Sequence, residues 1–190
     1  MVSTSAPGNE GGQAADSAPG IPGTSHDALS WYAVQTRYRF EKKVAEQLRT
    51  KGVETFLPLR EEIHRWSDRC KDVSLPLFPG YAFVRTDGKP DSRTRVLQTA
   101  GLISFVSRHG QAVSVPQKQI ELLELLLARK VPCSLHPFLK IGRRVRIRGG
   151  CLHGLEGILS QTGERSLVVS IESIQRSVAI KIEGYEIELI

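Results

Sequence analysis

The sequence predicts an α+β fold in two parts, a layer of strands and helices followed by a small all-β barrel. Three observations carry this. The run Leu75-Pro76-Leu77-Phe78-Pro79-Gly80-Tyr81-Ala82-Phe83-Val84 joins a proline-rich corner, a glycine and an alternating aromatic strand. A leucine-rich stripe at helical spacing follows Pro116. Beyond Lys140 the pattern changes to short Val- and Ile-containing segments separated by glycines. That is the pattern of a small barrel.

In chain order, residues 1–29 are rich in Gly, Ala, Ser and Pro and have little to bury, so they are expected to be a disordered tail. Residues 31–36 alternate and read as a strand. Phe40, Val44 and Leu48 recur every four residues and make a helical stripe. Gly52 ends that helix. Val53–Leu57 reads as a strand, and Glu61–Asp68 with Lys71–Leu75 as a hairpin with a charged tip. Pro76 and Pro79 fix φ and remove two backbone donors, and Gly80 permits the turn before the next strand, Tyr81–Thr86. In that strand Tyr81 and Phe83 share one face, while Ala82 and Val84 share the other. Both faces are apolar, which one explanation assigns to contact with a partner.

A short helix is expected over Asp91–Gln98, then strands Leu102–Ser107 and Gln111–Val115 about Gly110. Pro116 opens the strongest helix, with Ile120, Leu123 and Leu127 in one stripe. Leu122 and Leu126 widen that stripe. Lys130–Leu139 holds two prolines and reads as a linker. Barrel strands are expected at 143–149, 155–161, 166–172, 175–182 and 185–189. The resulting parts are a tail (1–29), a mixed domain (30–130), a linker (131–139) and a barrel domain (140–190).

The net charge is +6. The first 29 residues carry −3 and no Lys or Arg, leaving +9 on the rest. A basic body suits a polyanionic partner without requiring one. The three cysteines, Cys70, Cys133 and Cys151, show no close pairing. That argues against a disulfide framework and fits a reducing cytoplasm. No apolar run approaches the ~20 residues of a membrane span, and no signal peptide is expected.

Three motifs resemble those of the NusG-type transcription elongation factors, in that family's order and spacing. Trp31-Tyr32-Ala33-Val34-Gln35-Thr36 is similar to its first strand, and Leu75–Val84 to its central signature. Gly142–Gly157 is similar to its KOW motif. Within the family the chain most resembles the specialised RfaH and UpxY antiterminators. The resemblance implies an NGN domain, an antiparallel sheet flanked by helices, followed by an SH3-like KOW barrel. It implies a non-catalytic, monomeric, cytoplasmic factor that binds RNA polymerase, suppresses pausing and termination, and needs no cofactor or metal.

Site residues follow the same way. The resemblance places the polymerase clamp helices against Phe78, Tyr81, Phe83, Phe105, Ile120 and Leu123, and the gate loop against Ser92, Arg93, Thr94 and Arg95. It places the non-template DNA strand against Arg37, Tyr38, Arg39 and Lys43. Bottom-up, that cluster interleaves cations with aromatics, as in single-strand binding, yet also reads as a solvated helix face balanced by Glu41 and Glu46. Leu152, His153 and Gly154 of the KOW turn are the candidate contact for a small-subunit ribosomal protein or the Rho helicase. Arg143 and Cys151 depart from the family pattern, which carries an acid and a proline there. In Arg144–Arg148 the period of two puts Val145 and Ile147 inside and three arginines outside.

Catalytic signatures are missing: there is no P-loop, no Gly-x-Ser-x-Gly and no dinucleotide fingerprint. Cys133-x-x-His136 and Cys151-x-His153 supply four potential zinc ligands, but the second spacing is cramped and lies in the KOW-like turn. Two other readings stay open, a housekeeping NusG-like factor stimulating Rho and a ribosome-associated RNA-binding KOW protein.

Overall fold

The computed structural model describes residues 29–65, 70–140, 142–160 and 166–190. The tail up to residue 28 and the hairpin tip 66–69 lie outside the described residues. The first part contains β1 (Ser30–Thr36), α1 (Glu41–Thr50), β2 (Glu54–Phe56), β3 (Leu59–Arg65), β4 (Cys70–Pro76), β5 (Tyr81–Thr86) and α2 (Pro90–Leu97). It continues with β6 (Leu102–Phe105), β7 (Ser107–Arg108), β8 (Gln111–Ala112), β9 (Ser114–Val115) and α3 (Gln117–Ala128). The second part contains β10 (Cys133–His136), β11 (Arg144–Arg148), β12 (Glu156–Ser160), β13 (Ser166–Ile171), β14 (Arg176–Lys181) and β15 (Glu186–Leu189).

The first sheet has the order β2-β5-β1-β6, with β9 also pairing β1, and every pairing is antiparallel. β3 and β4 form a separate hairpin running from Leu59↔Pro76 to Arg65↔Cys70. The second sheet, order β10-β14-β13-β12-β11-β15, is also antiparallel and wraps one core. The expected α+β architecture is therefore the observed one.

The two central strands, β1 and β5, are apolar on both faces. Val34, Ala82 and Val84 lie under Val44, Ala45 and Leu48 of α1 and Val96 of α2. Trp31, Ala33 and Phe83 lie on the opposite face, with Leu77, Phe78, Val115 and α3 residues Ile120 and Leu123. Ile171, Ile174 and Val178 of the barrel complete that second cluster.

Local chemistry sets the helix ends. α1 closes with Gly52 N–H on the Arg49 carbonyl (2.9 Å) and Val53 N–H on the Leu48 carbonyl (2.9 Å), a Schellman pair. Gly52 takes the positive φ of +75° that this requires. α3 ends the same way, through Lys130 N–H on Leu127 (3.0 Å) and Val131 N–H on Leu126 (2.9 Å). Here a lysine at φ +50° occupies the left-handed position.

Two expectations change. The buried residues of α3 are Ile120, Leu123 and Leu126, whereas Leu127 is only half-buried. Spacings of three and four both satisfy a helical stripe, and the barrel selects Leu126, which sits in its core with Val145, Ile147 and Leu167. The segment read as a linker contains β10, paired with β14 from Cys133↔Ile180 to His136↔Ser177. Pro132 and Pro137 bound the four residues that keep their amides, and an edge strand tolerates such flanks.

Gly157 lies in β12, close against its neighbour β13. A Cβ there would lie 2.8 Å from the Val168 carbonyl oxygen and 2.9 Å from Leu167 Cγ. The backbone oxygen cannot move aside without breaking the ladder. Gly157→Ala is expected to destabilise the protein by about 1–3 kcal/mol through overpacking, read as a lower midpoint in urea melts.

Candidate functional site

The residues expected to line an open apolar depression are mostly enclosed. Phe78, Phe83, Ile120 and Leu123 are fully buried, and Tyr81 is half-buried. Phe83 stacks on Phe56 with centroids 6.1 Å apart and meets Phe78 edge-on at 6.2 Å. The barrel covers the rest through Ile171, Ile174 and Val178. Tyr81 borders a cleft of about 400 Å³ with Val106, Val113, Ser173 and Ile174. A larger cleft of about 890 Å³ lies between α3 and the barrel, lined by Leu122, Leu125, Phe138 and Ile158 among others.

Phe105 does not join this surface. It pairs with Val34, and directly opposed residues share a sheet face. Phe105 therefore packs among Val34, Val44 and Leu48 and meets Tyr32 edge-on at 6.0 Å. Sequence alternation gave each strand two faces but did not say which faces coincide across strands.

The cationic cluster forms the turn between β1 and α1. Tyr38 is 70% exposed, with the Arg39 guanidinium 5.5 Å from its ring centroid. Lys43 Nζ lies 6.0 Å from the Phe40 ring, and Phe40 is itself partly exposed. Arg39 holds φ +66°, uncommon for a residue with a side chain. Among the described residues, no ion pair involves Arg37, Arg39, Lys42 or Lys43. Glu41, expected to balance this face, points inward and is buried.

In α2 the polar run is partly tied into the fold. Ser92 hydrogen-bonds Asp87, which with the Lys89 amide holds that carboxyl below the usual carboxylate range. Thr94 Oγ1 donates to the Pro90 carbonyl (2.8 Å), and Arg95 donates to the Lys51 carbonyl. Arg93 lies 5.4 Å over the Phe105 ring. Exposed Leu97 and Ile103 belong to this same α2–β6 region.

On the barrel, Leu152 is buried in the core rather than presented to a partner. It falls in the 3-10 turn Gly150–Leu152, which folds it inward. His153 remains exposed, its Nδ1 accepting the Gly149 N–H at 2.9 Å. Gly154 at φ +82° donates to the Ile147 carbonyl (2.9 Å). Arg129, at the end of α3, donates to the Cys151 carbonyl and ties this turn to the first part. The Cys151 thiol lies 3.1 Å from the Tyr185 hydroxyl; that hydrogen bond, then Arg129, lowers its pKa.

The four potential zinc ligands have separate surroundings. His136 Nδ1 bonds the Pro137 carbonyl (2.8 Å), and Cys133 is half-buried in the interior beside the first sheet, where desolvation raises its pKa. Among the described residues, no three metal-ligating side chains gather. The outward arginines are also partnered. Glu156 takes Arg144 (3.6 Å) and Arg146, and Glu188 takes Arg146 (3.3 Å) and Arg148. Sequence reading missed Glu41, Arg129 and the Ile171–Val178 contact; their residue types are ordinary, and only the assembled fold gives them roles.

The chain is thus a two-part α+β protein, a sheet-and-helix layer with a cationic turn, joined to a small barrel. The chain belongs to the NusG family, whose profile, "Transcription termination factor nusG", matches residues 29–124. The transcription termination/antitermination protein NusG of Borreliella burgdorferi is 27% identical over 184 residues, covering 85% of this chain and 98% of that protein. The protein of the same name from Lactococcus lactis is 24% identical over 169 residues, covering 83% and 91%. A solved structure described as "Domain interaction in Thermotoga maritima NusG" shares the fold, with a TM-score of 0.54 and 23% identity over 85% of this chain and 98% of that one.

The hydrogen bond from Arg146 depresses the Glu156 pKa below 4.5. A depressed carboxylate stabilises the fold above its unfolded pKa, and that contribution is lost as pH falls through the folded pKa. Glu156→Gln is therefore expected to lower stability at neutral pH and to flatten the loss below pH 4.5. Urea midpoints measured across that range check both.

Proposed function

We propose that this chain is a non-catalytic, cytoplasmic transcription elongation factor. The apolar face around Tyr81 and Phe83 would engage the clamp helices of RNA polymerase, and the Arg37–Lys43 turn the exposed non-template strand. Ser92–Arg95 would face the gate loop. Binding the processive conformation better than the paused one is sufficient to suppress pausing, since a ligand shifts an equilibrium by its differential affinity. The observation that carries this reading is the second apolar face of β1 and β5, whose cover by α3 is completed by residues of the small barrel.

That cover has the character of a contact that releases. Trp31 Nε1, Gln119 Oε1 and Ser173 Oγ are buried in or beside it with no hydrogen-bond partner. Each such atom costs about 1–3 kcal/mol relative to a satisfied one. Two clefts flank the apolar centre. Polymerase would therefore exchange with the barrel for one surface, and the freed barrel would recruit a ribosomal protein or Rho at raised local concentration. The names of the relatives, which couple termination with antitermination, favour keeping Rho stimulation as a second reading. The RNA-binding barrel is less well supported, because Glu156 and Glu188 take up Arg144, Arg146 and Arg148.

Ile174→Asp places a charge in the barrel's apolar contact and is expected to strengthen binding to core polymerase by about tenfold or more. Tyr81→Ala, at a half-buried position, is expected to weaken it. Phe83 is a poor test because its truncation would cost about 3–5 kcal/mol of folding stability. Transcription on a pausing template, with and without Rho, then separates the two roles. Absence of polymerase binding by both the wild type and the Ile174→Asp variant sinks the reading.

A further inference from the structure

Beneath the cationic turn lies an acid that the proposed function leaves unused. Glu41 opens α1 and is 3% exposed. Its Oε1 accepts the Gly80 N–H at 2.8 Å, and the Gly80 carbonyl accepts the Thr36 N–H at 2.8 Å. The Pro79-Gly80 turn is thus bonded to the chain just before and just after residues 37–40. From the other side, Arg37 N–H donates to the Gly101 carbonyl at 2.8 Å. Gly101 lies bare against Phe40, where an added Cβ would come within 2.8 Å of the ring. Inside this frame Arg39 keeps its left-handed φ, and Tyr38 stands out into solvent.

The charge of Glu41 suits the N-terminus of α1 but works against a polyanion. A carboxylate under Arg37, Arg39, Lys42 and Lys43 lowers the positive potential that a polyanion would meet. Its geometry explains it better. We propose that Glu41 is a positioning residue: it ties the Pro79-Gly80 turn to the first turn of α1 and thereby fixes the pose in which Tyr38, Arg39 and their neighbouring cations meet a single strand of nucleic acid. This rests on the reading of the turn as a nucleic-acid contact. It also makes that turn and the apolar face beginning at Phe78 one rigid piece, so strand contact and polymerase contact are held at a fixed relative position.

The test uses the full chain and a fluorescein-labelled oligothymidylate of about twelve nucleotides, within the usual site size for single-strand binding. Anisotropy is read across a salt series, with amide exchange of Gly80 followed by NMR. Glu41→Gln removes the charge but keeps an acceptor oxygen of the same reach. Glu41→Asp keeps the charge and the favourable interaction with the helix N-terminus, but is too short to reach Gly80. The expected result is that Glu41→Gln binds at least as tightly as the wild type and keeps the Gly80 amide protected. Glu41→Asp is expected to bind about tenfold more weakly and to expose that amide, with its thermal melt still cooperative. The reverse order, or equal binding by both variants, overturns the proposal. If the wild type shows no salt-dependent binding, the nucleic-acid reading fails and the positioning role with it, while the Gly80 exchange contrast still reports the strut itself.

Discussion

The central strand pair, β1 and β5, is apolar on both faces, and the other elements are arranged by the need to cover it. An ordinary antiparallel sheet in a small domain solvates one face and reads as a clean alternation. Here Trp31, Ala33 and Phe83 oppose Val34, Ala82 and Val84, so neither face suits water. α1 and α2 cover one. The other is too large for α3 alone, and Ile171, Ile174 and Val178 of the barrel complete it. At about 1.5–3 kcal/mol for each buried aliphatic side chain, that contact is strong enough to hold the two parts together. It is also of a size that another apolar partner can match.

α3 is the element both parts share. Ile120 and Leu123 face the first sheet, while Leu126 enters the barrel core. One turn further on, Lys130 holds the left-handed cap and the chain passes into β10, zipped onto β14. The covalent tether between the parts is therefore much shorter than the ten residues a linker reading allows. Separation has to withdraw Leu126 from the barrel or peel β10 from its edge. Either route meets a cooperative barrier, so opening is a discrete event and not a continuous drift.

Much of this was legible in the sequence, and the failures share a cause. Local signals placed the strands, the glycine-ended first helix, the proline-opened third helix and the inward Val145 and Ile147. What alternation cannot supply is the partner of a face. Phe105 looks like Phe83 in sequence, yet its register with Val34 puts it on the opposite side. Leu126 and Leu127 are equivalent by periodicity until a barrel arrives on one flank. Cys133–His136 reads as linker because its proline neighbours dominate, although its own four amides are free to pair. One explanation of the second apolar face of β5 was contact with a partner; in the fold, α3 and the barrel of the same chain cover much of it.

Charge shows the same limit in another form. The +9 carried outside the tail treats every cation alike. In the fold, Arg144, Arg146 and Arg148 of β11 are organised into a ladder with Glu156 and Glu188, which offset their charge from adjacent strands. Among the described residues the cations of the β1–α1 turn form no such pairs; Glu41 has turned inward to bond Gly80, while Glu46 stays exposed further along α1. Surface potential follows unpaired charge, not composition, and screening removes contributions beyond about 8–10 Å at ordinary salt. On the proposed reading a polyanion would be drawn to this turn, where exposed Tyr38 lies beside the cations, and less to the paired arginines of β11.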